Sequence, residues 1–240
     1  MPKNFAPLLD GHGFDLHALV RPAREVGGDF YTFFFVDDES FLFAIGDVAG
    51  KGVPAALLMS RTVTLIRTLA LERLATDEIL RKANEELCID NDSCMFVTVF
   101  CALFNTRTGS MTYTNGGHNP PAVIPKEGAP GLLDGARCTC LGLEQDALFE
   151  KSCMILQPDE SVCLYTDGVT EALNSAGELF STKRLLELLE KQRSLPAKEM
   201  AGKVFSEVEA HACGAEQSDD ITVLILQKRW TDSLTVPPGP

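Results

Sequence analysis

Apolar positions along the chain follow two alternating rhythms. Short aromatic and β-branched runs come in blocks, at 14–20, 30–36, 41–45, 96–105, 109–117, 120–125, 149–156, 161–166 and 221–227, bounded by Gly, Pro, Asp and Ser. Runs of that length and composition predict strands. Longer stretches with helical spacing stand between the blocks, and they come in pairs. The stretch 54–74 is apolar on most of its faces, which predicts a largely buried helix with Pro54 in its first turn. Thr76 with Glu78 predicts the start of a second helix, with Ile79, Leu80, Ala83 and Leu87 on one face. A second pair is predicted at 180–191 and 196–213, the latter with Met200, Val204, Phe205 and Val208 on one face and Gly214 as its stop.

The polar turn Asp37-Asp38-Glu39-Ser40 folds 30–36 back on 41–45 as a hairpin, with Gly46 expected to end the second strand. Asp29 then begins one strand and Asp47 closes its antiparallel partner, so the two carboxylates should be neighbours at one edge of the sheet. Residues 126–135 read as a turn-rich loop. Because strands and paired helices alternate as blocks rather than as single βαβ units, the expected fold is α+β. Its architecture is a four-layer α-β-β-α sandwich of two antiparallel sheets, each covered by a helical pair.

At 240 residues, with 23% charged and 45% hydrophobic, the chain has the composition of an ordinary globular protein. One domain is expected over 12–229, with 1–11 as a linker remnant and 230–240 as a disordered tail. No charge-free run of about 18 apolar residues occurs, and the start MPKNFAPLLDGHGF is not a signal peptide, so the expected location is cytoplasmic with no membrane partner. A net charge of −13 argues against nucleic acid as a partner. An acidic protein that handles phosphate must neutralise its own carboxylates, and bound divalent metal is the direct way. None of the eight cysteines forms a CxxC pair, so they read as reduced thiols, with Cys101 and Cys163 inside apolar runs.

The candidate chemistry converges on FLFAIGDVAGKGVPAALLMS at 41–60, where an apolar run meets Asp47, crosses a glycine-rich turn and re-emerges as a helix. GDVAGKG lacks the spacing and the Ser or Thr of a phosphate-binding P-loop. An ionised Asp at the end of a core strand is costly unless a cation compensates it; capping of the turn by its own side chain is the competing reading. The pattern recurs where SVCLYT delivers Asp167 to Gly168 and an expected helix over VTEALN. Asp29 follows Gly27-Gly28, and Asp219 and Asp220 open the last strand. Hard divalent cations such as Mg²⁺ and Mn²⁺ take such carboxylates. No histidine pair has zinc-ligand spacing, and His12, His17, His118 and His211 have no serine nucleophile partner.

Through PAREVGGDFY, IGDVAGKGVPAALLM, FVTVFCALFN, NGGHNPP, LYTDGVTEA and SDDITVLIL, taken in order from about His12 to Gln227, the chain resembles the metal-dependent serine/threonine phosphatase family (PPM, type 2C), in its SpoIIE/RsbU-like bacterial branch. The resemblance implies a binuclear Mn²⁺ or Mg²⁺ site, two ions with a third admissible. Asp29 and Asp47 would be the bridging carboxylates, the carbonyl of Val48 an added ligand, and Asp167 and Asp219 would complete the second metal, with Asp220 in the neighbouring position. Arg24, five residues before Asp29, matches a phosphate-contacting arginine. Two departures stand out. Ala49 occupies the place of a leaving-group histidine in the animal and plant branch, and Thr32 replaces an Asp common in this one, removing a carboxylate near the site.

What the resemblance implies is hydrolysis of a phosphoserine or phosphothreonine ester by activated water. The implied substrate is a phosphorylated STAS-domain antagonist of an anti-sigma factor, under an upstream sensor or activator, and a homodimer is compatible. A non-catalytic phosphoprotein-binding module and a two-metal hydrolase of small phosphoesters are the alternatives. Lys51 reads as an exposed turn residue, His118 as a loop stabiliser, and Glu171 as a neighbour of the metals or a helix-start acid.

Overall fold

The computed structural model of the chain describes residues 12–25 and 27–229, so the expectations for 1–11 and 230–240 lie outside the described residues. The elements follow as β1 (Phe14–Arg21), β2 (Phe30–Phe35), β3 (Ser40–Val48), α1 (Val53–Leu71), α2 (Thr76–Cys88), β4 (Val97–Asn105), β5 (Ser110–Gly116) and β6 (Ala122–Ile124). After them come β7 (Gly131–Leu132), β8 (Arg137–Cys138), β9 (Ser152–Ile155), β10 (Ser161–Tyr165), α3 (Asp167–Thr170), α4 (Ser181–Gln192), α5 (Ala197–Ala212) and β11 (Ile221–Lys228). One sheet has the order β1-β11-β10-β6-β7 and the other β2-β3-β4-β5-β8, with β9 also paired to β5. All named pairings are antiparallel except the short β5–β8 contact. The expected four-layer sandwich is therefore the observed one.

Strand parity builds its three apolar layers. In β3, Phe41, Phe43 and Ile45 face the other sheet, while Leu42 and Ala44 pack with Ile66 of α1 and Ile79 of α2. In β11, Leu224 and Leu226 face inward, and Val223 and Ile225 pack with Val204 and Leu185 of the α4–α5 pair. Both faces of a central strand are buried, which is why these runs read as continuously apolar rather than alternating. Each fully buried Leu or Phe contributes roughly 1.5–3 kcal/mol, so the layers hold the frame on which the loops at either end are hung.

The structure corrects several expectations. β3 does not stop at Gly46 but runs on through Asp47 to Val48. A side chain at Gly46 would meet the Phe30 ring at 2.5 Å, so this glycine makes room for packing rather than ending a strand. α1 is not largely buried: Ala55, Thr62, Ile66 and Ala70 pack inward, but Val53 and Leu57 are about two-thirds exposed. Helix α1 is long and apolar enough by composition to cross a membrane. In the fold it lies on one sheet face and beside α2, and those two surfaces cover only part of its circumference. Arg67 anchors it there, donating to Thr32 Oγ1 at 3.2 Å and lying over the Phe34 ring.

Thr76 begins its helix, α2, as expected. Ala75 precedes it, with its N–H donating to Glu78 Oε2, and the Thr76 hydroxyl is buried against Thr114 Oγ1 at 2.9 Å. The helix expected over VTEALN is a single turn opened by Asp167 itself. The loop 126–135 contains β7, which pairs with β6 after the chain has crossed from β5 in one sheet to β6 in the other.

Candidate metal centre

The same parity that fills the inter-sheet layer with Phe and Leu also aims the polar groups at one of its ends. Tyr31, Ile45, Phe100, Leu164 and Leu224 line that layer. One step of two residues further along the same strand faces lie Asp29, Asp47, Thr98, Thr166 and Thr222. Phe30 pairs with Gly46, so Asp29 falls beside Asp47 as the hairpin register requires. The two carboxyls are hydrogen-bonded to each other. Asp29 Oδ2 also accepts from Thr166 Oγ1 at 2.8 Å and from Thr222 Oγ1 at 2.6 Å, both reaching across from the opposite sheet.

Asp220 fixes the backbone beneath. Its Oδ2 accepts from the Gly28 N–H at 2.7 Å and the Asp29 N–H at 3.3 Å, and its Oδ1 from the Ala23 N–H at 2.7 Å. This contact explains two glycines. A Cβ at Gly27 would lie 2.0 Å from Asp220 Oδ2, and one at Gly168 would lie 2.0 Å from the Asp220 carbonyl. Asp219, about half exposed, accepts from the Asp220 N–H through Oδ1, while Lys51 Nζ sits 3.5 Å from Oδ2 and donates to the Ser218 carbonyl at 2.7 Å. Lys51 is thus not free in its turn; it ties the glycine loop after β3 to the loop before β11.

Electrostatically the carboxylates resist ionising together. Burial pushes the Asp29 carboxyl up to about 9; the Thr222 and Thr166 hydroxyls pull it down and the charges of Asp47 and Asp220 push it further up. Burial likewise raises Asp47 to about 7, aided by Asp167 and Asp219 and opposed by its hydrogen bond with Asp29. Asp167 is raised by burial and by Asp219 and Glu171, with the Gly168 amide and Lys51 working against them. Groups so arranged gain from a bound cation, because it removes both the repulsion and the desolvation cost at once.

Hard carboxylate oxygens with no thiol or imidazole among them fit Mg²⁺ or Mn²⁺ and not zinc. Among the described residues, no three carboxylate, imidazole or thiol groups stand so as to enclose an ion as they are; the donors share one end of the sandwich. Val48 is buried, and its carbonyl lies 2.8 Å from where a Cβ of Gly28 would be, next to the Asp29 backbone. Arg24 is exposed on the loop between β1 and β2. Thr32 belongs to the opposite parity from Asp29 and Tyr31 and meets Arg67 on the helix side, so the residue at this position lies outside the carboxylate cluster.

Thr166 and Thr222, the closest partners of Asp29, were not singled out by sequence. Each sits in a β-rich run where Thr is an ordinary strand former, and the only signal was its place within two residues of an aspartate. Beside the carboxylates a cavity of about 240 Å³ opens, sharing Gly168 and Asp219 with them and floored by Leu173, Val208 and Ile221.

The family model for stage II sporulation protein E (SpoIIE) matches residues 37–229. The chain belongs to the SpoIIE family. The matched stretch carries Asp47, Asp167, Asp219 and Asp220, and Asp29 lies just before it. Among relatives, protein IcfG of Synechocystis sp. (strain ATCC 27184 / PCC 6803 / Kazusa) is 29% identical over 94% of this chain and 40% of its own length. The phosphoserine phosphatase RsbU of Bacillus subtilis (strain 168) is 29% identical over 90% of this chain and 63% of its own. The chain thus spans between two-fifths and two-thirds of these relatives. The SiaA-PP2C domain of Pseudomonas aeruginosa superimposes with a TM-score of 0.80 at 23% identity, over 94% of this chain and 88% of that one. RsbX, solved in complex with magnesium, gives 0.64 at 16% identity, over 89% and 95%. The likeness to the SiaA-PP2C domain shows that the SpoIIE-family sandwich here is the PP2C fold.

Proposed function

We propose that this domain is a metal-dependent protein phosphatase that hydrolyses phosphoserine or phosphothreonine esters. One observation carries the reading: Asp29 and Asp47 lie side by side at the end of the inter-sheet layer, sharing a hydrogen bond in surroundings that oppose their ionisation. A turn cap needs one such carboxylate, whereas a pair desolvated together calls for a cation. Mn²⁺ or Mg²⁺, two ions with a third admissible, would be held by Asp29, Asp47, the Val48 carbonyl, Asp167 and Asp219. When bound, these ions lower the pKa of an attacking water and offset charge on the phosphoryl oxygens.

The protein's own groups then have separable tasks. Thr166 and Thr222 orient Asp29 by donating to one of its oxygens, leaving the other for Asp47 or a ligand. Asp220, with both oxygens taken by backbone amides, anchors the loop that presents Asp29. Lys51 tempers the charge beside Asp219. Arg24, on the exposed loop, is the side chain assigned to the phosphate. Ala49 cannot protonate a leaving group, so that proton comes from water or another side chain.

The substrate favoured is a phosphorylated STAS-domain antagonist of an anti-sigma factor, in keeping with the phosphoserine phosphatase name of RsbU. Regulation by a sensor or activator and a cytoplasmic location belong to the same proposal. The test compares phosphate release from a phosphoserine STAS-domain protein and from ATP, with Mn²⁺ and with EDTA. Release from the protein alone, abolished by EDTA, is expected. Undiminished turnover in EDTA overturns the metal reading, preference for ATP favours a small-phosphoester hydrolase, and binding without release favours a non-catalytic module.

A further inference from the structure

His118 belongs to the NGGHNPP turn that follows β5, and the roles assigned above do not use it. It is 6% exposed. Asn115 clamps its backbone from both sides, donating to the His118 carbonyl at 2.9 Å and accepting from the His118 N–H at 2.8 Å. A loop stabiliser needs only this clamp. The ring goes further: Nδ1 lies 2.9 Å from Thr98 Oγ1, the Tyr165 backbone stands close to the ring, and Nε2 is buried with no hydrogen-bond partner. A buried ring nitrogen left short of a partner costs free energy, and such a cost in a native fold asks for a reason.

The position of those two contacts supplies one. Thr98 is the register partner of Asp47 across β3 and β4, and directly opposed residues share a sheet face. Its hydroxyl is also 3.4 Å from the Asp47 carbonyl. The Thr98 hydroxyl therefore lies between the imidazole and the Asp47 backbone, while the Tyr165 backbone stands beside the ring. Tyr165 ends β10, two residues before Asp167. The imidazole therefore stands between the strand pair that holds Asp47 and the strand that delivers Asp167, one in each sheet.

We infer that His118 is a positioning residue for the metal centre: through Thr98 and the Tyr165 backbone its ring sets the separation of Asp47 from Asp167. Burial lowers the imidazole pKa to about 4, against an opposing pull from the Tyr165 backbone, which keeps the strut neutral beside the carboxylates at working pH. The inference rests on the metal-phosphatase reading above and names a residue that reading does not require. Partners that orient metal ligands from outside the first layer typically change metal affinity by about 10–100-fold.

The experiment titrates Mn²⁺ into EDTA-stripped wild type, His118→Phe, Thr98→Val and the double variant by calorimetry, with apo melting temperatures measured alongside. Each single change is expected to weaken Mn²⁺ binding by about ten-fold, and the double no more than either, because both break one connection. Thr98→Val keeps the shape of its side chain, so its apo melting point should move little and serves if His118→Phe folds poorly. Lower melting with unchanged Mn²⁺ affinity, or losses that multiply in the double variant, overturns the strut. A wild-type protein that binds no Mn²⁺ sinks the metal reading and the strut with it, whereas intact Mn²⁺ binding in the variants sinks the strut alone.

Discussion

At one end of the inter-sheet layer, Phe14 packs on Phe35, Phe41 and Phe104 with ring centroids 4.9–6.4 Å apart. Followed to their other ends, β2, β3 and β4 arrive at Asp29, Asp47 and Thr98, where β10 and β11 of the other sheet bring Thr166, Asp220 and Thr222. Even a buried charge at the aromatic end is satisfied: Lys228 Nζ donates to the Thr106 carbonyl at 2.6 Å and stands over the Phe104 ring. At the carboxylate end like charges face one another, with Lys51 beside Asp219. One frame thus closes its core twice, once by burying apolar area and once by holding groups that repel. The aromatic end stabilises the fold whatever is bound, while the carboxylate end becomes favourable only when a cation arrives.

Substitutions that tell the two ends apart should move activity and stability in different directions. The largest effect on turnover is expected for Asp47→Asn or Asp29→Asn: a loss on the order of 10³-fold at saturating Mn²⁺, as for other disabled electrostatic catalysts. Asp167→Asn should be nearly as severe. Apo melting should stay level or rise, since one of the repelling carboxylates is gone. Steady-state phosphate release and a melt in EDTA measure both; wild-type turnover in Asp47→Asn returns that residue to a turn cap. At the aromatic end, Phe41→Ala should cost about 3–5 kcal/mol in denaturant unfolding, with turnover of the folded fraction unchanged. Reduced turnover at full folding would mean the ends are coupled.

Asp220→Asn sharpens the contrast within the carboxylate end itself. Its oxygens accept from three backbone amides, and an amide NH₂ placed against one of those donors loses that bond. A destabilisation of about 1.5–3 kcal/mol is expected, with a smaller loss of turnover than in Asp47→Asn. Adjacent members of the cluster should therefore shift the apo melting point in opposite senses. If Asp220→Asn melts with wild type, the amide contacts contribute nothing and Asp220 is better regarded as a further ligand.

How much of this could be read beforehand follows from what each feature depends on. The Asp29–Asp47 neighbourhood was legible because a four-residue polar turn fixes the register of a hairpin, and register is a local property. The aromatic layer was legible because apolar runs of strand length have few other places to go. The hydroxyls of Thr166 and Thr222 were not, because their role arises only when the second sheet is laid over the first. Gly46 misled for a similar reason: in isolation it looks like a stop, and only the Phe30 ring shows why a side chain is excluded there. The exposure of α1 depends on how much of its surface one sheet face and one neighbouring helix can cover, which periodicity does not report. Asp219 and Asp220 are alike in sequence; the parity of β11 and the amides of Ala23, Gly28 and Asp29 give them different work.

A further effect is expected from pH, and its sign separates the ends once more. In the apo protein the folded-state pKa values of Asp29 and Asp47 lie near 9 and 7, above the ordinary carboxylate value. The folded state therefore binds more protons than the unfolded one over the interval between. Stability from these groups is fully present below the unfolded carboxylate pKa and is lost as pH rises through about 7 and then about 9. Urea unfolding in EDTA should accordingly show falling stability from pH 5 to pH 9, opposite to a protein whose acids are held by salt bridges. Saturating Mn²⁺ should flatten or reverse that slope, because a cation holds both carboxylates ionised. Asp47→Asn should flatten it in EDTA, whereas Phe41→Ala should lower the whole curve and leave its slope alone. A slope that survives Asp47→Asn unchanged would mean that Asp47 is not held protonated by burial and the charges of Asp167 and Asp219, and the demand for a cation would have to be sought elsewhere.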